Sequence, residues 1–272
     1  MNYQTYPTRH ELEAFVKCYW TLQGPKSSIT EKQTIVPDGC IELIFHFGDR
    51  YRQYLSDGTS LIQPHSFVMG QLTQTLEIAP TGMTDIFAVR FYPHGFAPFS
   101  SIDLKTIANK ATELIHVFGD SGKILENNVR NVESSAERIS IVETFLLDTI
   151  SAEKNTSKII QDTVDMILEV RGHHSLDELS QHGQIGRRQL ERKFASEVGL
   201  SPKYLSRVVR LQAALQQLLS QNHDNLTSLA YKKGYYDQAH FIKDFKAFTG
   251  PTPKAFYADS LKLSGLFYGH KG

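Results

Sequence analysis

The sequence predicts an α+β chain: an N-terminal antiparallel β-barrel with flanking helices, then an all-α domain of two helix-turn-helix units bridged by a long helix. Three observations lead there. Short apolar runs between closely spaced turns fill the first hundred residues, as in barrels and sandwiches. From Asp103 the apolar spacing changes to a helical period. In the last third, a plan of helix, glycine break and helix occurs twice, about fifty residues apart.

The β-rich part begins after an ambiguous stretch, since Arg9 to Leu22 fits either a short helix or an edge strand. Val36-Pro-Asp-Gly39 is a turn, and Cys40-Ile-Glu-Leu-Ile-Phe-His-Phe47 continues as an aliphatic and aromatic strand with partial alternation. Further turns are marked by Gly48-Asp49, Asp57-Gly58, Gln63-Pro64 and Pro80-Thr-Gly82. Between them lie the strand candidates Ser66–Met69, Thr75–Ile78 and Asp85–Tyr92. Next, Leu104, Ile107, Ala108, Ala111, Leu114, Ile115 and Phe118 form one helical stripe, and Ile139, Val142, Leu146 and Ile150 a second. The short polar segment Ser151–Ser157 reads as a linker. The divisions are therefore 1–102 for the barrel, 103–156 for a helical dimerisation or linker region, 157–258 for the helical module and 259–272 for a tail.

In the module, Leu176–Ser180 precedes a break at His182-Gly183 and a helix from about Gly186 to Val198. Leu226–Ala230 likewise precedes a break at Lys233-Gly234 and a helix from Asp237 to Phe248. Both second helices stop at Gly-X-(Ser/Thr)-Pro, where glycine closes the last turn and proline cannot continue it. In the first, Leu190 and Phe194 share one face, and Arg188, Glu191, Arg192 and Ala195 another. In the second, Phe241, Phe245 and Phe248 form a core stripe opposite Ala239, His240, Lys243 and Lys246. Pro202 opens a connecting helix to Ser220, about 28 Å long at ~1.5 Å per residue. That rod would hold the two outer helices about one turn of DNA (~34 Å) apart.

Charge obeys the same division. Residues 1–156 carry 13 basic against 18 acidic side chains, whereas 157–258 carry 14 against 10, so the polyanion-facing half is the second. No apolar run reaches the ~20 residues of a membrane helix, and Met1 to His10 lack a leader pattern, so the chain reads as cytosolic with no membrane partner. With only Cys18 and Cys40, neither a disulfide scaffold nor a four-cysteine zinc site is expected. His46, His65 and His94 lack the close His-X-His spacing of a metal site. No nucleophile motif, phosphate loop or HExxH pair occurs, and no enzyme activity, metal or cofactor is expected. Glu42 and Arg90 read either as a buried pair or as groups that orient a polar ligand. Trp20, beside Tyr19, reads as core or as a platform, and the three form a candidate ligand pocket.

Arg188-Gln-Leu-Glu-Arg-Lys-Phe194, Gly199-Leu-Ser-Pro202, Arg210–Ala214, Ala230, Gly234-Tyr235, Phe241, Phe245-Lys246, Gly250 and Thr252-Pro253 keep fixed spacings across a hundred residues. In these, residues 157–258 resemble the DNA-binding domain of the AraC/XylS transcription regulators. The resemblance implies double-stranded DNA as partner, with base contacts at Arg188, Glu191, Arg192, Gln238, Ala239, His240 and Lys243. Backbone contacts fall to Arg187, Lys203, Arg207 and Lys246. Three positions depart from the family pattern: Ser180 for alanine, Gly186 for a serine cap, and Tyr257 for arginine. Tyr19-Trp20, Pro37–Phe45, Met69-Gly-Gln71 and Val89–Gly95 resemble an uncharacterised cupin-like sensor domain over residues 5–150. Together the two resemblances imply a homodimeric, sequence-specific regulator with a small-molecule effector and RNA polymerase as further partners. The competing readings are an architectural DNA-binding protein and a DNA-repair methyl acceptor.

Overall fold

The computed structural model describes residues 1–26, 31–150, 157–173, 175–219 and 238–253. Among the described residues, ten strands form two antiparallel sheets. The larger has the order β1-β2-β9-β4-β7-β10: β1 Asn2–Tyr6, β2 Val16–Gly24, β9 Thr84–Phe91, β4 Ile41–His46, β7 Ser66–Met69 and β10 Ala111–Glu113. The smaller has the order β3-β8-β5-β6: β3 Gln33–Ile35, β8 Leu76–Pro80, β5 Tyr51–Tyr54 and β6 Ser60–Ile62. Among the described residues no pairing closes one sheet on the other, so the expected barrel is an open, two-sheet arrangement. The undecided stretch near the N-terminus is a 3-10 turn at His10–Leu12 followed by β2. That strand lies inside the sheet, flanked by β1 and β9, rather than at an edge.

Period two sorts the strands into two faces. Tyr19, Leu43, Phe45, Phe87, Val89 and Phe91 join one core with three helices, α1 Leu114–Phe118, α2 Asp120–Arg130 and α3 Ser135–Thr149. Their alternates Trp20, Ile44, Ile86 and Ala88 turn to the other face, towards Tyr51 and Ile78 of the smaller sheet. Burying each aromatic ring contributes ~1.5–3 kcal/mol.

The first helical stripe is not one helix. Leu104–Ile107 form a 3-10 turn, β10 joins the sheet beside β7, and only Leu114–Phe118 are α-helical. Asn109 causes the break: it adopts φ +60° and donates its backbone N–H to Gln71 O at 3.0 Å. Its side chain holds Thr73 through two bonds of 2.8 and 2.7 Å, which draws the chain alongside β7. The second stripe is α3, opened by a reciprocal Ser134/Glu137 capping box.

The C-terminal module comprises α4 Lys158–Glu169, α5 Leu176–His182, α6 Arg187–Val198, α7 Pro202–Leu219 and α8 Gln238–Thr249. Most of the expected linker, the helix at Leu226–Ala230, the Lys233-Gly234 break, Tyr257 and the tail fall outside the described residues. One apolar cluster joins α4, α5 and α6 to Leu200 and Leu205 at the start of α7. A second joins Val208, Leu211, Ala214 and Leu215 of α7 to Phe241, Phe245 and Phe248 of α8, and includes Val36 from the β-domain.

The two domains meet along α7. Gln212 donates to Pro37 O at 2.6 Å, and the Tyr204 hydroxyl donates to Thr73 O. Gly39, at φ +81°, lies against this helix. Any side chain there would be strained, and its Cβ would come within 2.8 Å of Leu205 Cδ1.

Candidate nucleic-acid interface and inter-domain cavity

On α6, Leu190, Phe194 and Val198 are fully buried, which leaves Arg187, Arg188, Gln189, Glu191 and Arg192 exposed on the outward face. Helix α8 repeats the plan, burying Phe241, Phe245 and Phe248 and exposing Ala239, Lys243 and Lys246. Gln238 is half-buried, and nothing is described of the His240 side chain. The structure therefore places Arg188, Glu191 and Arg192 together on one helix, and Ala239 and Lys243 on the other. Both helices are mounted on α7 by aromatic side chains that fix their orientation.

Among the expected backbone-contacting groups, Lys203 and Lys246 are exposed, and Arg187 makes a 3.1 Å surface pair with Asp177. Arg207 differs, because the structure gives it another partner. Its Nη2 and Nε donate to the two oxygens of Asp244 at 2.8 and 3.3 Å, and its guanidinium lies 4.9 Å from the Phe248 ring centroid. It is a clamp between α7 and α8. Sequence spacing gave no hint of this, since the two residues are 37 positions apart.

At the start of α6, Gly186 provides no side-chain cap. Its φ of −63° suits any residue, and a Cβ there would meet nothing within 4 Å. Gly186→Ser is expected to stabilise the chain by a few tenths of a kcal/mol, up to about 1. Urea denaturation followed by circular dichroism measures this; a loss of stability would mean that the serine hydroxyl fails to reach the free N–H groups of the first turn.

Beneath the module lies a cavity of about 560 Å³ between the sheets, lined by Trp20, Glu42 and Arg90 together and roofed by Val209, Gln212 and Ala213 of α7. Glu42 and Arg90 are register partners on β4 and β9, with Arg90 Nη1 donating to Glu42 Oε1 at 3.3 Å. Trp20 Nε1 donates to the same oxygen at 3.1 Å. A third participant, Asp38, also pairs with Arg90, while its Oδ1 accepts the Cys40 N–H at 2.9 Å. The residue read as a simple turn thus serves both the turn and the cavity. On the cavity wall the His46 ring stacks between Tyr51 and Phe67, at 5.6 and 5.7 Å, facing Gln63 without reaching hydrogen-bonding geometry.

Burial pushes the Glu42 carboxyl up to about 7, against the opposing pull of the Trp20 N–H and Lys17. Burial also brings His46 down to about 4. A carboxyl raised in the folded state makes stability fall as pH rises from its unfolded value to its folded one. Glu42→Gln removes that contribution. The stability difference, variant minus parent, is therefore expected to grow from about pH 4.5 to 7 and be level on either side. Urea titrations across that range test it, and a flat or falling difference would show that the carboxyl ionises normally.

The cysteines are not poised as nucleophiles. Burial raises both thiols, Cys40 to about 12, and both are free. Among the described residues no three of His, Cys, Asp and Glu gather as a metal set. No described helix is long and apolar enough to cross a membrane.

Comparison with known proteins agrees with this layout. A family described as "Domain of unknown function (DUF6597)" matches residues 4–113, and one described as "Helix-turn-helix domain" matches residues 179–259. An uncharacterized HTH-type transcriptional regulator of Staphylococcus aureus (strain MRSA252) is 29% identical over 110 residues, 39% of this chain and 15% of that protein. The HTH-type transcriptional regulator MtrA of Neisseria gonorrhoeae is 31% identical over 94 residues, 35% of this chain and 30% of that protein. The matches thus span less than a third of these relatives' own length. Among solved structures, ToxT from Vibrio cholerae aligns over 88% of this chain and 97% of its own, at 10% identity and a TM-score of 0.47. The named relatives are transcriptional regulators, not enzymes. The chain thus carries a DUF6597 domain at residues 4–113 and, behind it, an AraC-type helix-turn-helix domain at residues 179–259.

Proposed function

We propose that the chain is a sequence-specific, DNA-binding transcription regulator whose N-terminal domain senses a small molecule. One observation carries the reading: α6 and α8 expose polar, mostly basic faces, while their opposite faces are buried in two apolar clusters, one taking in the start of α7 and the other its middle. Two such helices on an 18-residue rod of about 27 Å suit successive major-groove segments of one duplex. Arg188, Glu191, Arg192, Gln238, Ala239, His240 and Lys243 read bases, and Arg187, Lys203 and Lys246 hold phosphates. Arg207 keeps the second helix at its angle. The cavity is the effector site, and because α7 forms its roof, an occupant bears directly on the rod that carries both reading helices. Homodimerisation through residues 103–156 and contact with RNA polymerase are the remaining partners of a cytosolic regulator of this kind.

Selection of bound duplexes from a random library with the full chain, followed by titration at two salt concentrations, tests the reading. A split motif with elements about one helical turn (~34 Å) apart is expected. Binding with a steep salt dependence and no enriched motif would replace it with an architectural role.

A further inference from the structure

We propose that the cavity takes a small amphipathic cation, with its apolar body against Trp20 and Tyr3 and its charged nitrogen on Glu42. The inference rests on the effector reading above and names the chemical class of the effector. The cavity floor carries an unequal count of ionisable groups: Arg90 stands between Asp38 and Glu42, one guanidinium against two carboxyl groups, and a bound cation would hold the second of them ionised. Both hydrogen bonds that Glu42 accepts fall on Oε1, and no described donor reaches Oε2. The 19% of the Glu42 side chain that remains exposed belongs to a residue of the cavity wall.

Each class of occupant meets this floor differently. A neutral apolar molecule would cover Oε2 without replacing the water it loses, at a desolvation cost. A carboxylate would lie beside two carboxylates in surroundings of low dielectric constant, where like charges repel strongly. An ammonium or amidinium group supplies both the missing donor and the missing charge. The walls suit it as well: Tyr3 and Trp20 lie 5.9 Å apart, and aromatic faces attract cations. His46, held neutral by burial, offers an acceptor and no competing charge. Besides Arg90, the basic residues that line the cavity are Lys17 and Arg171; both are exposed, so solvent weakens their field, although Lys17 still acts on Glu42.

The chain supplies its own reporter, since Trp20 is its only tryptophan and stands in the cavity wall. Full-length protein is titrated with phenylbutylamine, phenylbutanol and phenylbutyrate, monitoring tryptophan emission. A saturable change is expected with the amine, at about tenfold or more higher affinity than the alcohol, with the carboxylate weakest. Glu42→Gln, which keeps an acceptor for Trp20, is expected to bring amine and alcohol together; its urea denaturation curve confirms that it folds. Equal or tighter binding of the carboxylate, an amine affinity unchanged in Glu42→Gln, or no saturable response to the amine in the parent protein would each overturn the proposal. Those results stand apart from the DNA reading, because a motif selected by a protein that ignores the amine would refute only the ligand class.

Discussion

Asp244→Ala is expected to destabilise the chain by roughly 3 kcal/mol and to erase one element of the split DNA motif while sparing the other. Asp244 is 4% exposed and receives two N–H bonds from Arg207 at the crossing of α7 and α8. Removing it leaves a guanidinium packed against Phe248 and Tyr204 without the carboxylate that balances it. Breaking a buried pair from one side costs ~3–5 kcal/mol. The low end applies here because the Arg207 side chain keeps 30% of its surface in solvent. Urea unfolding of the full chain gives the stability, and binding to duplexes mutated in one element at a time gives the second effect. A change under about 0.5 kcal/mol would class the pair with ordinary surface ion pairs. Uniform loss across both elements would mean that α6 depends on the same joint.

Arg192→Ala is expected to weaken binding to the selected site by about 1–3 kcal/mol, or roughly five- to 150-fold, and to relax the preference at one base pair. Arg192 lies one turn from Arg188 on the exposed face of α6, and Phe194, on the buried face, fixes that orientation. Removing an exposed side chain leaves the fold unaffected, so the melting curve serves as the control. Equal weakening on native and mutated sites would make Arg192 a phosphate anchor, not a base reader.

Much of this was legible in the sequence, and for physical reasons. Glycine and proline at fixed offsets marked where α6 stops and α7 begins, and the Phe241, Phe245 and Phe248 spacing gave the buried face of α8. Period two on β4 and β9 already set Glu42 and Arg90 on a common kind of face. Strands β1 and β6 carried no such signal, because they are short and largely exposed, and an exposed strand need not alternate. The centre of β2 is buried on both faces, so Tyr19, Trp20, Thr21 and Leu22 gave an unbroken run that fits either period. Residues 104–118 fitted a helical period because turn and helix contribute apolar residues to one core while Ala111 of the strand packs against the neighbouring one. Only the bonds of Asn109 to Thr73 and Gln71 show the break. Asp38 and Asp244 escaped notice because their partners, Arg90 and Arg207, are close only after folding.

Val36 lies between β3 and β4 of the N-terminal domain, yet its side chain is buried among Val208, Leu211 and the phenylalanines of α8. Two neighbours of that segment, Pro37 and Gly39, are fitted to Gln212 and Leu205. A hybrid made by joining this C-terminal module to another N-terminal domain would therefore lack part of its own interior. Lineages that exchanged domains at the polar segment before Ser157 would have had to change Val36 and its neighbours as well. Thr73, which accepts from Tyr204, and Leu104, which lies against Gly199, would have to be matched too, so the unit that can be inherited intact does not coincide with the division drawn along the chain.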